Sequence, residues 1–534
     1  MNEKPLYILP EDAQRFMGKD AQRNNILAAR ILAETIKTTL GPKGMDKMLI
    51  SSTGDIIITN DGVTILEEME VEHPIAKMII EIAKTQDKEV GDGTTTVVML
   101  AGKLLENAEK LLDKKVHPTI ITRGYKIAEE ASLKILNELA IEISTEDELL
   151  KVAQTAMTGK GAEYLKEKFS KIVVEAVKTV AESNNKIDLD DIKIEKKKGD
   201  SAEKTELIKG IVLDKTRISE EMPASIKEAK IALIDCALEI KAPERETRIS
   251  ISSPDQLQSF LNQEEEILKN MVVKLKSVGA NVVVCQKGVD DIAQFYLAKA
   301  GIYTLRRVAR SDLQKLAKAT GARINSNLKE LAPNDLGYAS LVQEVKHGEE
   351  SFTYVQGCKN PKAVTIMIHG GSEHVTAEIQ RAISDALGDV AATLKDSKIV
   401  AGGGAIEIEL ARKLREFAQS LKGREQLAVE EFADAIEFVP VTLAENAGLD
   451  PLDILTELRV THEAGNKNFG LNLFNEKIED TALQGIIEPL KIKTLAISSA
   501  TEVAIMILRI DDIIASGKSR SSTKANLNSM ANYE

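Results

Sequence analysis

The chain has 534 residues, too many for one hydrophobic core, and this length corresponds to about three or four domains. Hydrophobic residues make up 43% and charged residues 29%, a globular balance that excludes a disordered chain. A net charge of −13, no tryptophan and only 3% aromatics argue against a nucleic-acid binder, which needs a basic groove and stacking rings.

Asp20 reads as the N-cap of a first helix with an apolar stripe at Ala28, Ala29, Leu32, Ala33, Ile36 and Leu40. Gly41-Pro42 reads as its end. "KMLI" and "DIIIT" flank the turn "SSTG" as a β-hairpin, and Asn60-Asp61-Gly62 forms a second tight turn. Helices are expected from about Pro74 to Lys88 and from Thr94 to about Lys115. The middle of the chain changes character. Lys230–Ile240 and Ala280–Cys285 read as buried strands, followed by a helix to Ala300, the strand "IYTLRRV", and a helix capped by Ser311 that ends at Gly321. This alternation argues for an α/β layer of its own.

Between those strands Leu257, Phe260, Leu261, Ile267, Leu268, Met271, Val272 and Leu275 make a helical stripe. It fits either a helix packed on its own domain or a projecting arm. Helices return after "VAGGG", and "SATEVAIMILRIDDIIASG" reads as an apolar helix. Helical ends around an α/β middle hint that the first and last segments share one domain. The tail after Gly517 is polar and reads as disordered.

Cys236, Cys285 and Cys358 are too far apart for a zinc cage or a disulfide framework and suit a reducing cytoplasm. No basic and apolar leader opens the sequence, and no apolar run approaches the ~18 residues that span a bilayer.

The stretch that carries chemistry is Gly91-Asp92-Gly93-Thr94-Thr95-Thr96, directly before a helix. Free N–H groups and the helix dipole favour an anion there. A carboxylate in the same place would repel phosphate unless a cation lies between, and Mg²⁺ takes one or two carboxylates plus phosphate oxygens. A glycine turn with threonine caps explains the same residues equally well. Thr39 to Gly44 and Gly402 to Gly404 are further glycine turns at helix ends. Asp61 reads as a turn aspartate or as a base orienting water, and Asp385 as a solvated helix carboxylate or a catalytic one. "SGKS" lacks the first glycine of a P-loop, "GDG" lacks the third glycine of a dinucleotide fingerprint, and no kinase, H-E-x-x-H or nucleophile-elbow motif is present.

Taken together, "GKDAQRNNILAARILAETIKTTLGPKGMDKML", "TNDGVTIL", "VGDGTTTVV", "TGKGAE", "CQKGVDDIAQFYLAKAGI", "GCKNPKAVTI", "VAGGGAIE" and "SATEVAIMILRIDD" closely resemble the group II chaperonins, the thermosome of archaea and its relative in the eukaryotic cytosol. The segments occur in family order and cover nearly the whole chain. The resemblance implies a multidomain α and α/β chaperonin fold. It places a mostly helical equatorial ATP-binding domain at 1–146 and 404–534 and a small α/β intermediate hinge domain at 147–214 and 370–403. An α/β apical client-binding domain would occupy 215–369, with a helical protrusion, the built-in lid, at about 245–277.

It further implies ATP and Mg²⁺ as ligands, ATP hydrolysis, and a cytoplasmic double ring of identical or paralogous subunits. The ring would enclose non-native polypeptides without a separate lid protein, nucleic acid or membrane. By resemblance, Thr39, Leu40, Gly41 and Pro42 line the phosphates. Asp92 holds Mg²⁺, and Gly93, Thr94, Thr95 and Thr96 cradle phosphate. Asp61 and Asp385 flank the attacking water, and Lys160 senses the γ-phosphate. Gly403 and Gly470 lie on the ribose and base side, and Glu488 binds ribose hydroxyls. Asn472 and Asn475-Glu476 depart from the aspartate and Thr-Gly turn that the family usually carries. Apical Ile251 and Phe260 are candidate client contacts.

Overall fold

In the computed structural model the apolar stripe of the first helix, Gly18–Lys37, packs against the Thr94–Asp113 helix through Ile26, Ala29, Leu32, Ala33 and Ile36. The structure describes residues 14–51, 54, 56–143, 145–181, 187–240, 253–347 and 350–515. The expected tail after Gly517, the "SGKS" stretch, the start of the protrusion at 245–252 and Ile251 lie outside them.

The largest core joins the two ends of the sequence. Ile26, Ile65, Ile79, Leu105, Leu111 and Tyr125 pack with Leu410, Phe432, Ile497, Ala500 and Ile507. The strand Gln14–Met17 pairs antiparallel with Asp512–Ala515, with Met17 opposite Asp512. This pairing corrects two expectations. The first helix starts at Gly18 rather than after Asp20, because the Gly18 N–H is already taken by the Asp511 carbonyl at 2.7 Å. The final apolar helix runs earlier, Leu490–Leu508, and Asp512–Ala515 form a strand, not helix. The first helix also stops at Lys37, well before Gly41, since Asn446 Nδ2 takes the Lys37 and Leu40 carbonyls at 3.0 and 2.9 Å.

The expected hairpin is present, with Lys47–Ile50 antiparallel to Ile56–Thr59. Asn60-Asp61-Gly62 is more than a turn. Asp61 caps the helix Gly62–Glu68, its carboxylate accepting from Val63 and Thr64 N–H groups at 3.3 and 3.0 Å.

A second core joins Leu149, Phe169, Val173 and Val177 with Val364, Ile366, Ile379 and Ile383. Here the strand Val364–Gly370 runs parallel to Ile192–Lys198, and the long helix Glu373–Asp396 covers them. Residues 210–356 build a seven-stranded sheet. Tyr303–Leu305, Val282–Cys285 and Ser225–Ile234 are parallel neighbours, the short Ile324–Asn325 also pairs parallel with Ser225–Ile234, and Gly337–His347, Glu350–Gln356 and Gly210–Leu213 continue the sheet antiparallel. The strand from Lys230 ends at Ile234, short of Ile240. The helix Arg310–Thr320 starts before Ser311, whose expected cap is therefore absent; Gly321 does terminate it.

The stripe at 257–275 divides. In the helix Pro254–Ser277, Leu268, Val272 and Leu275 are buried against the sheet domain, while every residue from 254 to 267 is exposed. The outer half is thus a projecting arm. Among the described residues no helix is long and apolar enough to cross a membrane.

Candidate functional site: a cavity at a helix N-terminus

A cavity of about 220 Å³ lies where the largest core meets the second one. Its floor is the start of the helix Thr94–Asp113. Gly93 is the N-cap at φ 81°, a left-handed backbone that glycine adopts without strain, and no side chain caps the helix. The first-turn N–H groups stay available to an anion. Thr94, Thr95 and Thr96 line the cavity, and Thr39 Oγ1 lies 3.4 Å from Thr95 Oγ1. Leu40, Gly41 and Pro42 form the adjoining wall.

Carboxylates converge opposite this floor. Asp61 is pinned by its capping bonds and also accepts from Thr64 Oγ1 at 2.6 Å and Thr94 Oγ1 at 3.3 Å. The Asp92 carboxylate accepts from Gly93 N–H at 2.8 Å, while Gln86 Nε2 donates to the Asp92 carbonyl at 3.0 Å. Asp385, buried on the helix Glu373–Asp396, accepts from Lys160 Nζ at 2.5 Å, and the same ammonium lies 3.7 Å from Asp92. The Lys160 loop is docked by Asn60 Nδ2, which donates to the Gly159 carbonyl at 3.0 Å. Burial pushes the Asp385 carboxyl up, to about 8, with Lys160 pulling it back. Burial opposes the charge on Lys160; Asp385 and then Asp92 outweigh it and hold the ammonium above its ordinary pKa.

The other end of the cavity is less charged. Gly403 pairs with Leu471, whose N–H donates to the Gly403 carbonyl at 2.8 Å, and Leu471, Leu473 and Phe474 line an apolar side. Glu488 also lines the cavity. Gly470 does not; it sits behind the wall, where a Cβ would lie 2.7 Å from the Gly402 carbonyl oxygen. The departures near it serve the hairpin. Asn472 donates to Glu479 at 2.5 Å and accepts from Phe474 N–H at 3.0 Å, and Glu476 turns the chain at φ 56°.

Sequence reasoning missed three residues here. Asp389 is 2% exposed, lines the cavity, and its Oδ1 has no hydrogen-bond partner. Burial pushes its carboxyl well up, and the Asp92 charge adds to that. Its spacing of four from Asp385 was the available signal, since both share one helix face. Lys493 and Phe474 are the others; no local pattern marks either. Among the described residues no three His, Cys, Asp or Glu side chains form a metal-binding group by themselves. One or two carboxylates can still hold a cation whose other ligands come from phosphate. The surplus of carboxylates (Asp61, Asp92, Asp385, Asp389 and Glu488) over the ammonium groups of Lys160 and Lys493, with an unpartnered oxygen on Asp389, fits such a cation.

Comparison with known proteins identifies the family. The profile of the TCP-1/cpn60 chaperonin family matches residues 32–518. The chain is similar to "Thermosome subunit beta" of Archaeoglobus fulgidus, 58% identical over 96% of this chain and 95% of that one. It is also similar to "Thermosome subunit" of Methanopyrus kandleri, 56% identical over 96% and 95%. "Thermosome subunit" of Pyrococcus horikoshii is likewise 56% identical over 96% and 95%. With relatives this near at almost full length, and a multidomain α and α/β fold around one anion-ready cavity, the chain belongs to the TCP-1/cpn60 chaperonin family.

Proposed function

We propose that this chain is a ring-forming group II chaperonin subunit that hydrolyses Mg-ATP and uses the cycle to enclose and fold non-native polypeptides. The observation that carries the reading is the convergence of Asp61, Asp92, Asp385 and Lys160 on one cavity at the uncapped start of the Thr94–Asp113 helix. In this reading Thr94, Thr95 and Thr96 and the wall Thr39 to Pro42 hold the phosphates, and Asp92 is the Mg²⁺ ligand. Mg²⁺ would supply neutralisation of phosphate charge. Asp61, rigid through its capping bonds, orients water. Asp385 accepts the water proton, and Lys160 moves from Asp385 to the γ-phosphate. Phosphoryl transfer needs little beyond such positioning and charge balance. Gly403 and the Leu471 side take the base, and Glu488 takes ribose hydroxyls.

The domain assignment is likewise a proposal. The core shared by the chain ends supports an equatorial unit at 1–146 and 404–534. The second core supports a hinge unit built on the expected 147–214 and 370–403, extended to the strand Val364–Gly370, because Val364, Ile366 and Ile368 pack in that core. The two cores of the seven-stranded sheet support an apical unit built on the expected 215–369, with Gly210–Leu213 added and Val364–Gly370 removed, and with the arm as its lid. Asp385 and Lys160 both belong to the hinge unit, so closure would complete the site. Clients would meet the arm and the apical face, with no lid protein, nucleic acid or membrane required, in the cytoplasm.

Asp385→Ala tests the reading. Equilibrium nucleotide binding should persist while single-turnover hydrolysis falls by about 10² or more, as for loss of a general base. Undiminished hydrolysis in a variant that still binds ATP would remove Asp385 from the reaction.

A further inference from the structure

Beside the cavity, Lys493 is buried between two carboxylates. Its ammonium lies 2.8 Å from Glu407 Oε1 and 2.6 Å from Glu488 Oε2. Each member comes from a different element: Glu407 from the first turn of the helix Ala405–Ser420, Glu488 from the strand Ile487–Pro489, Lys493 from the first turn of Leu490–Leu508. A lysine in a helix's first turn opposes the helix dipole, and a buried ammonium is costly unless paired. Local preference therefore does not explain it; the two carboxylates do.

Accessibility ranks the three. The side chains of Glu407 and Lys493 are 7% and 10% exposed, that of Glu488 24%. Glu407 thus backs Lys493, and Lys493 holds the one carboxylate that a ligand can reach. Only Oε2 of Glu488 faces the ammonium; Oε1 lies against Gly402, where a Cβ would be 2.8 Å away. One oxygen is fixed and the other remains an acceptor beside the cavity wall. Lys493 is a poor direct phosphate ligand, because two carboxylates already neutralise it.

We propose that Lys493 is a positioning residue for sugar recognition: backed by Glu407, it fixes Glu488 as a charged acceptor for the vicinal hydroxyls of the nucleotide's ribose. This rests on the reading of the cavity as an ATP site with Glu488 at the ribose. Removing one oriented hydrogen bond to a charged group costs about ten-fold in apparent affinity. A sugar lacking both vicinal hydroxyls should feel little of that loss.

The test compares ATP and 2′,3′-dideoxy-ATP as substrates of the assembled full-length chain. The variant is Lys493→Met with Glu407→Gln, which leaves no second buried carboxylate beside Glu488. KM for ATP should rise about ten-fold, kcat should stay within about two-fold, and KM for 2′,3′-dideoxy-ATP should hardly move. Lys493→Gln carries the same expectation should the double variant fail to assemble. An unchanged preference for ATP in either assembled variant would overturn the proposal, as would an equal rise for both nucleotides. Glu488→Gln separates the two levels. If it too leaves the preference unchanged, the placement of Glu488 at the ribose fails; if it alone abolishes the preference, only the role of Lys493 fails.

Discussion

At residue scale, Gly388 decides how close the two halves of the cavity can come. A Cβ there would lie 2.0 Å from the Val90 carbonyl oxygen and 3.1 Å from Gly91 Cα. The helix carrying Asp385 and Asp389 therefore touches the backbone of the turn that carries Asp92. Gly388→Ala must push the two apart. It should destabilise the chain by about 1–3 kcal/mol in thermal or denaturant unfolding, as overpacking does. It should also lower ATP turnover by an order of magnitude or more, because displaced reacting groups lose rate steeply. Normal turnover in this variant would mean that the contact does not set the geometry. Gly93 and its threonines were legible in the sequence because they are adjacent and their chemistry is local. Lys160 and Asp385, 225 positions apart, became partners only through the fold. Asp389 and Lys493 look like ordinary helix charges until their distant neighbours are known.

At element scale, packing between helices rests in part on Glu409. This fully buried carboxylate on Ala405–Ser420 accepts from Arg412 at 2.6 Å and lies 3.0 Å from His462 on Pro451–Glu463. Burial opposes its charge, but His462 and Arg412 prevail and hold its pKa at about 2, below the usual 4.5. A depressed carboxylate pKa contributes stability above the unfolded value that is lost as pH falls through the folded one. The melting temperature should therefore drop between pH 4.5 and about 2, and Glu409→Gln should flatten that part of the profile in calorimetry. Parallel profiles would contradict this. The projecting arm makes an opposite prediction. Leu257, Phe260 and Leu261 are exposed, so converting all three to Ser should leave the melting temperature within about a degree, as for surface positions, while reducing capture of an unfolded client. The apolar period of that helix was readable in the sequence, but its division into a packed and a free half was not. Period reports which face is apolar, and only the neighbouring sheet determines where along its length that face is covered. Helix ends failed for a related reason. The Asp511 carbonyl and the Asn446 amide, both far along the chain, set the limits of the first helix.

At the scale of the whole molecule, the hairpin Lys47–Ile50 and Ile56–Thr59 leaves Met48, Ile50, Ile56 and Ile58 exposed. An exposed apolar patch of this kind fits a subunit interface. Chaperonins of this family form rings, and replacing the four residues with Ser should shift the mass by light scattering toward the single 58.3 kDa chain. An unchanged mass would place the subunit contact elsewhere. The architecture itself was legible through eight motifs in family order, which run from the first helix through the cavity walls and the seven-stranded sheet to the last helix. The central claim is that the cavity drives folding inside the assembly. Its most direct test is ATP-dependent recovery of a chemically denatured enzyme, measured with the wild-type chain and with Asp385→Ala. The account predicts recovery with Mg-ATP for the wild type and none above the spontaneous yield for the variant. Equal recovery by both, or by the wild type without nucleotide, would contradict it.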